Sequence, residues 1–468
     1  MKKLMSVLPV VIAPLLAWLF PVMFMYARNA KEVAAAEMLL PAGIFIVCAA
    51  AALLIGALIF RDWNTAAFFS VGSGLVLTNY DLLLYLAQKV IPQMSYWQLL
   101  CLVAVIGILL CIVIKRLKLA DDVVRVAGLV FGGLILLNLI TAMPTIIQRV
   151  SDSRKQPAQI LDDGAYQPGK RNIYYLLCDE YASFAQLEEE FGFDNGEFRA
   201  QVEELGFNIS ETSENDSDAT VVVIANLMQL DYVADADSTS VELDNLTKNG
   251  RLQQLLIENG YRLRGVGDTA WLNIQGARDE KPEAVTSDGV SFSDLLLLRS
   301  FLKPFLSRFY AEDGDYIAAA LDDLSGLEIE PNTSTFTFAY VCYPHHPYFF
   351  NEYGEMNPSE KWINDETGTN NDAYVGAVKY VNSRILPAVK RIIEQDPDAI
   401  VVLCSDHGNR FGAISGKYTH RILNLLYYGG EIIPEFEGLS AINTARLILN
   451  REFGLEMAYV ELPAQTAG

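Results

Sequence analysis

The chain has 468 residues, 51% of them hydrophobic, and a formal net charge of −22; its mean hydropathy is +0.22. Residues 1–150 hold 11 Lys and Arg against 6 Asp and Glu, a net of +5, which leaves −27 for the remainder. An apolar, slightly basic part is thus followed by an acidic one long enough for a large domain with its own core, and that acidity argues against a nucleic-acid partner, which needs a basic footprint.

Five apolar stretches open the chain: Leu4–Tyr26, Met38–Phe60, Thr65–Leu86, Leu99–Ile114 and Val123–Ile147. Each is close to the ~20 residues that cross a bilayer as a helix, the fourth being short. The start, Met-Lys-Lys before an apolar run, mimics a signal peptide, but four further spans point to a retained anchor. Lys2, Lys3, Arg61, Lys115, Arg116 and Lys118 fall on one side, and Arg28, Lys31 and Lys89 on the other. The richer side is cytoplasmic by the positive-inside rule, so five spans place the acidic part outside the cell membrane.

Residues 148–170 are polar, contain two prolines and read as a linker. Beyond it the pattern alternates. Strands are predicted over Ile173–Cys178, Phe207–Ser210, Tyr261–Val266, Thr335–Tyr343, Ala399–Cys404 and Leu423–Tyr428. Helices are predicted over Phe184–Glu190, Glu197–Leu205, Val221–Leu230, Leu252–Asn259, Ser293–Tyr310, Asp315–Leu324 and Asn371–Glu394, with residues 267–291 irregular. This alternation predicts a mostly parallel, doubly wound α/β sheet over residues 171–468. Of the six cysteines, Cys48, Cys101 and Cys111 lie in spans, while Cys178, Cys342 and Cys404 end apolar strands. Small core residues are the expected role, with a disulfide or a thiolate ligand as the alternative.

The four histidines, His345, His346, His407 and His420, all fall in the last part of the chain. His407 follows Asp406 at the end of the β-branched run Ala399–Leu403, and a second strand end carries Asp179 and Glu180. Ligands of open α/β sheets collect at that edge. Carboxylates with an imidazole there predict a metal-dependent hydrolase or transferase, with donors that suit Zn²⁺ or Mn²⁺.

Three stretches then coincide: RNIYYLLCDEYASF, NDSDATVVVIANLMQ, and YVCYPHHPYFF with AIVVLCSDHGNRF. Their order over residues 171–430 resembles the sulfatase-like branch of the alkaline phosphatase superfamily, in particular membrane-anchored enzymes akin to lipoteichoic acid synthases and lipid A phosphoethanolamine transferases. The resemblance implies a metal held by Asp179 or its rival Glu180, by Thr220, and by Asp406 and His407. It makes Thr220 the nucleophile, with Ser217 as substitute. It gives His345 and His420 a role in binding the substrate phosphate or a second metal, with one of them, His345 in the first place, as proton donor to the leaving group, and it makes Arg410 a contact for an anionic group of the substrate. A metal lowers the pKa of a bound hydroxyl, which a threonine nucleophile needs. The implied reaction moves a phosphoglycerol or phosphoethanolamine headgroup from a membrane lipid donor to an envelope glycan or lipid. Phosphoester hydrolysis and an inactive binding or assembly homologue are the alternatives. Where relatives often read SNYxxT, this chain has Asn215-Asp216-Ser217-Asp218-Ala219-Thr220, and the Cys/Ser-x-Pro-x-Arg string of formylglycine sulfatases is absent.

Overall fold

The computed structural model describes residues 2–152, 154, 166–267, 292–306, 314–364, 367–411 and 417–463. The region 267–291 expected to be irregular therefore lies, apart from Gly267, outside the described residues, as does most of the linker. The chain forms two compact units. One comprises Met1–Asp152 together with Val290–Ala311, the other Ser153–Gly289 together with Glu312–Gly468.

The first unit is helical. Among the described residues, four helices are long and apolar enough to cross a membrane, or five if one bent pair counts as a span. Their extents are Lys2–Arg28, Leu39–Phe60, Tyr96–Arg116 and Ala120–Asp152. The expected third span, Thr65–Leu86, is not continuous. It is Trp63–Leu77 and Tyr80–Val90, meeting at 69°. Small residues let the backbones approach, as membrane helices need. A Cβ on Gly74 would lie 2.8 Å from the Trp18 ring, and Trp18 Nε1 donates to the Ser70 carbonyl at 2.9 Å. Residues 292–306 belong to this unit. The single helix expected over Ser293–Tyr310 breaks after Phe292–Leu298, and a short turn of helix follows at Lys303–Leu306.

The second unit is built on a six-stranded sheet: β1 (Ile173–Cys178), β2 (Asn208–Ser210), β3 (Arg262–Gly267), β4 (Thr335–Val341), β5 (Ile400–Ser405) and β6 (Asn424–Tyr428), in the order β2-β6-β5-β1-β4-β3. The run β5-β1-β4-β3 is parallel, and β6 is antiparallel to both β5 and β2. All six residues of β1 are buried because both faces are covered, the pattern of a doubly wound sheet. Tyr174, Leu176 and Cys178 pack with Val401 and Leu403 towards the helices Asp315–Ser325 and Asn371–Gln395. Ile173, Tyr175 and Leu177 face the opposite way, towards Thr220–Gln229, Arg251–Glu258 and Ala441–Phe453. Helices Ser240–Lys248 and Ala441–Phe453 were not predicted. The register aligns Cys178 with Val341 on one side and with Ser405 on the other. The loops after β1, β4 and β5 therefore leave the sheet at one level. None of the six cysteines forms a disulfide.

Candidate metal centre

That common level brings Asp179, Cys342, His345, Asp406 and His407 to one edge. Asp179 comes directly after β1, and Asp406 and His407 directly after β5. Their ligand atoms form a group within 4.8 Å of one another. His407 Nε2 lies 3.7 Å from Asp179 Oδ1 and 3.4 Å from Asp406 Oδ2. Asp406 and His407 are fully buried and Asp179 nearly so. Yet Asp179 Oδ1, Asp406 Oδ2 and His407 Nε2 each lack a hydrogen-bond partner among the described residues. Buried polar atoms are rarely left so, and a divalent cation satisfies all three at once.

The remaining atoms of these side chains are committed to orienting them. Asp406 Oδ1 accepts from the backbone N–H of Glu180 at 3.0 Å and of His407 at 2.9 Å. The His407 Nδ1–H donates to the Gly408 carbonyl at 2.8 Å, which leaves Nε2 as the lone-pair nitrogen. Tyr340 Oη donates to Asp179 Oδ2, and Cys342 Sγ lies 3.6 Å from the same oxygen. Burial and the Asp179 carboxylate raise the pKa of Asp406. For His407 burial acts to lower it, but the carboxylates of Asp406, Asp179 and Glu180 prevail and raise it.

The loop after β5 is clamped. Gln186 Nε2 donates to the Asn409 carbonyl at 2.7 Å, and its Oε1 accepts from the Asn409 N–H at 3.0 Å. Asn215 Nδ2 donates to the Asp406 carbonyl at 2.7 Å. Gly408 has no room for a side chain: a Cβ would stand 2.4 Å from the Tyr418 carbonyl and 2.5 Å from Gln186 Oε1. Gln186, Asn215 and Tyr340 were not singled out as site residues by the sequence, and Cys342 was weighed only as an alternative thiolate ligand. For Asn215, Tyr340 and Cys342 the position, at a strand end or just before the candidate nucleophile, offered a signal; Gln186, inside the helix Phe184–Phe191, offered none.

Thr220 is the first residue of the helix Thr220–Gln229, and its Oγ1 lies 3.5 Å from Asp179 Oδ2. Ala219 before it provides no side-chain cap, so an anion has uncapped first-turn amides to meet. Ser217 instead accepts the Ala219 N–H at 3.1 Å, a local turn. The two carboxylates that precede Thr220, Asp216 and Asp218, diverge. Asp218 is exposed, while Asp216 Oδ2 accepts from Asn226 Nδ2 at 2.9 Å and its pKa is raised by burial.

Glu180 does not share the Asp179 position. Its backbone is left-handed, φ 60°, unusual for a residue with a side chain. Its carboxylate lies 3.7 Å from His345 Nε2 and 3.5 Å from His346 Nδ1, and accepts the Arg410 N–H at 3.0 Å. Burial acts to raise its pKa, but His346, His345, His407 and Arg410 together bring it down to about 2. His345 and His346 stack at 4.2 Å, and Arg410 Nη2 donates to His345 Nε2 at 2.8 Å. Glu180, His345, His346 and Arg410 thus form a second cluster beside the first. His420 joins none of the three groups of metal-type ligands among the described residues. Its backbone carbonyl accepts the Asn215 N–H at 3.0 Å, and its charge acts on Asp216.

No family model matches the chain, and no curated protein matches it. Solved structures similar to it include the integral membrane lipooligosaccharide phosphoethanolamine transferase A of Neisseria meningitidis, at 13% identity and a TM-score of 0.43 over 95% of both chains. The C-terminal periplasmic domain of EcEptC from Escherichia coli is similar at 11% identity and a TM-score of 0.40, over 64% of this chain and 86% of that one. The lipoteichoic acid synthase LtaP from Listeria monocytogenes is similar at 15% identity and a TM-score of 0.36, over 65% and 77%. By name the first of these is a phosphoethanolamine transferase and the third a lipoteichoic acid synthase.

Proposed function

We propose that this membrane protein transfers a phospho-headgroup, of the phosphoglycerol or phosphoethanolamine type, from a lipid donor to an envelope glycan or lipid, with its α/β unit on the outer side of the membrane. One observation carries the reading: three buried donor atoms without hydrogen bonds converge beside a threonine hydroxyl at a helix start. Asp179, Asp406, His407 and Thr220 would hold the cation. A bound Zn²⁺ or Mn²⁺ supplies Lewis acidity, lowering the pKa of the hydroxyl and offsetting the charge of the phosphodiester.

Thr220 Oγ1 gives up its proton to solvent water and attacks phosphorus. The new P–O bond forms as the bond to the lipid alkoxide breaks, leaving phosphothreonine. Arg410 turns from His345 to the anionic phosphate, and the freed His345 Nε2 takes up a proton from solvent and passes it to the departing alkoxide. The acceptor hydroxyl displaces Thr220 in a second in-line step and restores it.

The purified protein is incubated with envelope lipid extract and mapped by mass. The expected result is phosphate-bearing adduct on Thr220, lost in Thr220→Ala together with turnover. Ser217→Ala retains at least part of the activity. Adduct on Ser217, or full turnover in Thr220→Ala, overturns the assignment. Release of the free headgroup without acceptor selects hydrolysis instead.

A further inference from the structure

The described segment 292–306 comes from the acidic part of the sequence, between β3 and β4, yet it is built into the membrane unit. Phe292, Leu296 and Leu297 are buried in one cluster with Trp18, Val22, Tyr26 and Phe45. Its backbone also completes the broken span. The Phe301 N–H donates to the Leu77 carbonyl at 2.8 Å, and the Arg299 carbonyl accepts the Asp81 N–H at 3.0 Å. Leu77 ends one half of the bent pair and Asp81 opens the other. These are the backbone groups that a helix break leaves without intrahelical partners. Tyr96 Oη donates to the Phe301 carbonyl, and Lys303 Nζ pairs with Asp81 at 2.8 Å.

The level of this contact follows from helix lengths. Trp63–Leu77 has 15 residues, roughly 22 Å at 1.5 Å per residue, against about 30 Å of hydrocarbon. The break therefore falls near the far boundary, where Tyr80–Val90 turns aside and Tyr96–Arg116 starts with Tyr96 and Trp97. Around it, side chains of the kind that sit at headgroup level are exposed: Phe305 50%, Trp97 54% and Tyr85 53%. Trp97 meets Phe305 edge-on at 6.2 Å. Arg299 and Lys303 are exposed beside them. Aromatic rings with cations on long stems mark a membrane–water interface.

We infer that residues 292–306 are a second membrane attachment of the α/β half. They form an interfacial segment whose Leu295 and Phe305 enter the acyl boundary of the bilayer while Arg299 and Lys303 stay at the level of the phospholipid phosphates. The chain of the α/β half is then joined to the membrane unit at two places in the sequence, after the helix ending at Asp152 and at this segment.

The test places p-benzoylphenylalanine at Leu295 or Phe305 in the full chain, reconstituted in vesicles of phosphatidylethanolamine and phosphatidylglycerol. Controls carry it at Tyr353 or Ile432, exposed apolar residues of the α/β unit. All four side chains are exposed, so the core is left alone. After irradiation, lipid adducts resolved by mass should form at 295 and 305 at least tenfold more than at 353 and 432. Adducts at 295 and 305 no more abundant than at the controls, or confined to other parts of the polypeptide, overturn the inference. The readout needs no turnover, so its failure is separable from failure of the transfer reaction.

Discussion

Asp406 divides its carboxylate between two tasks. Oδ1 takes two backbone N–H groups and Oδ2 takes none. Without a cation, both Asp406 and His407 have folded-state pKa values raised above their unfolded ones. A raised value means that the folded chain holds the proton more tightly. The stability this provides is complete at low pH and is lost as pH rises from about 4 for the carboxyl and from about 6.5 for the imidazole. A cation replaces those protons, so its stabilising effect grows with pH. Glu180 acts in the opposite sense, losing its contribution only as pH falls below the carboxylate range towards about 2. It therefore stays out of the window from about pH 5 to about pH 7.5. Across that window the difference in Tm between Zn²⁺-loaded and chelator-treated protein should widen. In Asp406→Asn it should be small throughout. A difference that narrows with pH in the parent protein contradicts the ligand set. The sequence made this pair visible because Asp406 and His407 are adjacent at the end of an apolar run. It could not separate Asp179 from Glu180, since both follow β1 directly. What separates them is the left-handed turn at Glu180.

At the scale of elements, the helix Thr220–Gln229 connects the core to the chemistry. Its first residue faces Asp179, while Ile224, Leu227 and Met228 are buried under the sheet. Ile224→Ala should lower the unfolding free energy by about 2–5 kcal/mol. Val221→Ala, at a 37% exposed position, should change it by about 0.5 kcal/mol or less. Chemical unfolding of the detergent-solubilised protein checks both, and equal losses would mean that the helix is not seated as described. All six strands were legible to within two residues because their apolar runs are bounded by polar or turn residues. The two missed helices show where that signal stops. Ser240–Lys248 buries only Leu243 and Thr247, too little for a stripe. Ala441–Phe453 follows the last strand, so no later strand demanded a connection. The break at Thr78 and Asn79 was hidden for another reason. The apolar pattern runs across it, and the groups that stabilise it, at Arg299 and Phe301, lie more than two hundred positions away.

For the whole molecule, the basic residues predict that the C-terminus lies outside the cell membrane. A C-terminal tag should be removed by protease added to intact cells. Protection until lysis would reverse the topology and remove the α/β unit from an external acceptor. The division into an apolar and an acidic part was plain from charge alone, but the return of residues 290–311 to the first unit was not. A local apolar run reports that a face is buried, and is silent about which distant partner buries it.

That return bears on the order of assembly. A ribosome releases Asp152 long before Phe292, with β1, β2 and β3 made in between. During that interval the pocket under Trp18 and Phe45 lacks its filling, and the backbone of the bent helix waits without its partners. The membrane unit therefore cannot finish folding as its own helices emerge, as domains generally do. Only once translation has passed Phe305 are all of those packing and hydrogen-bonding partners present.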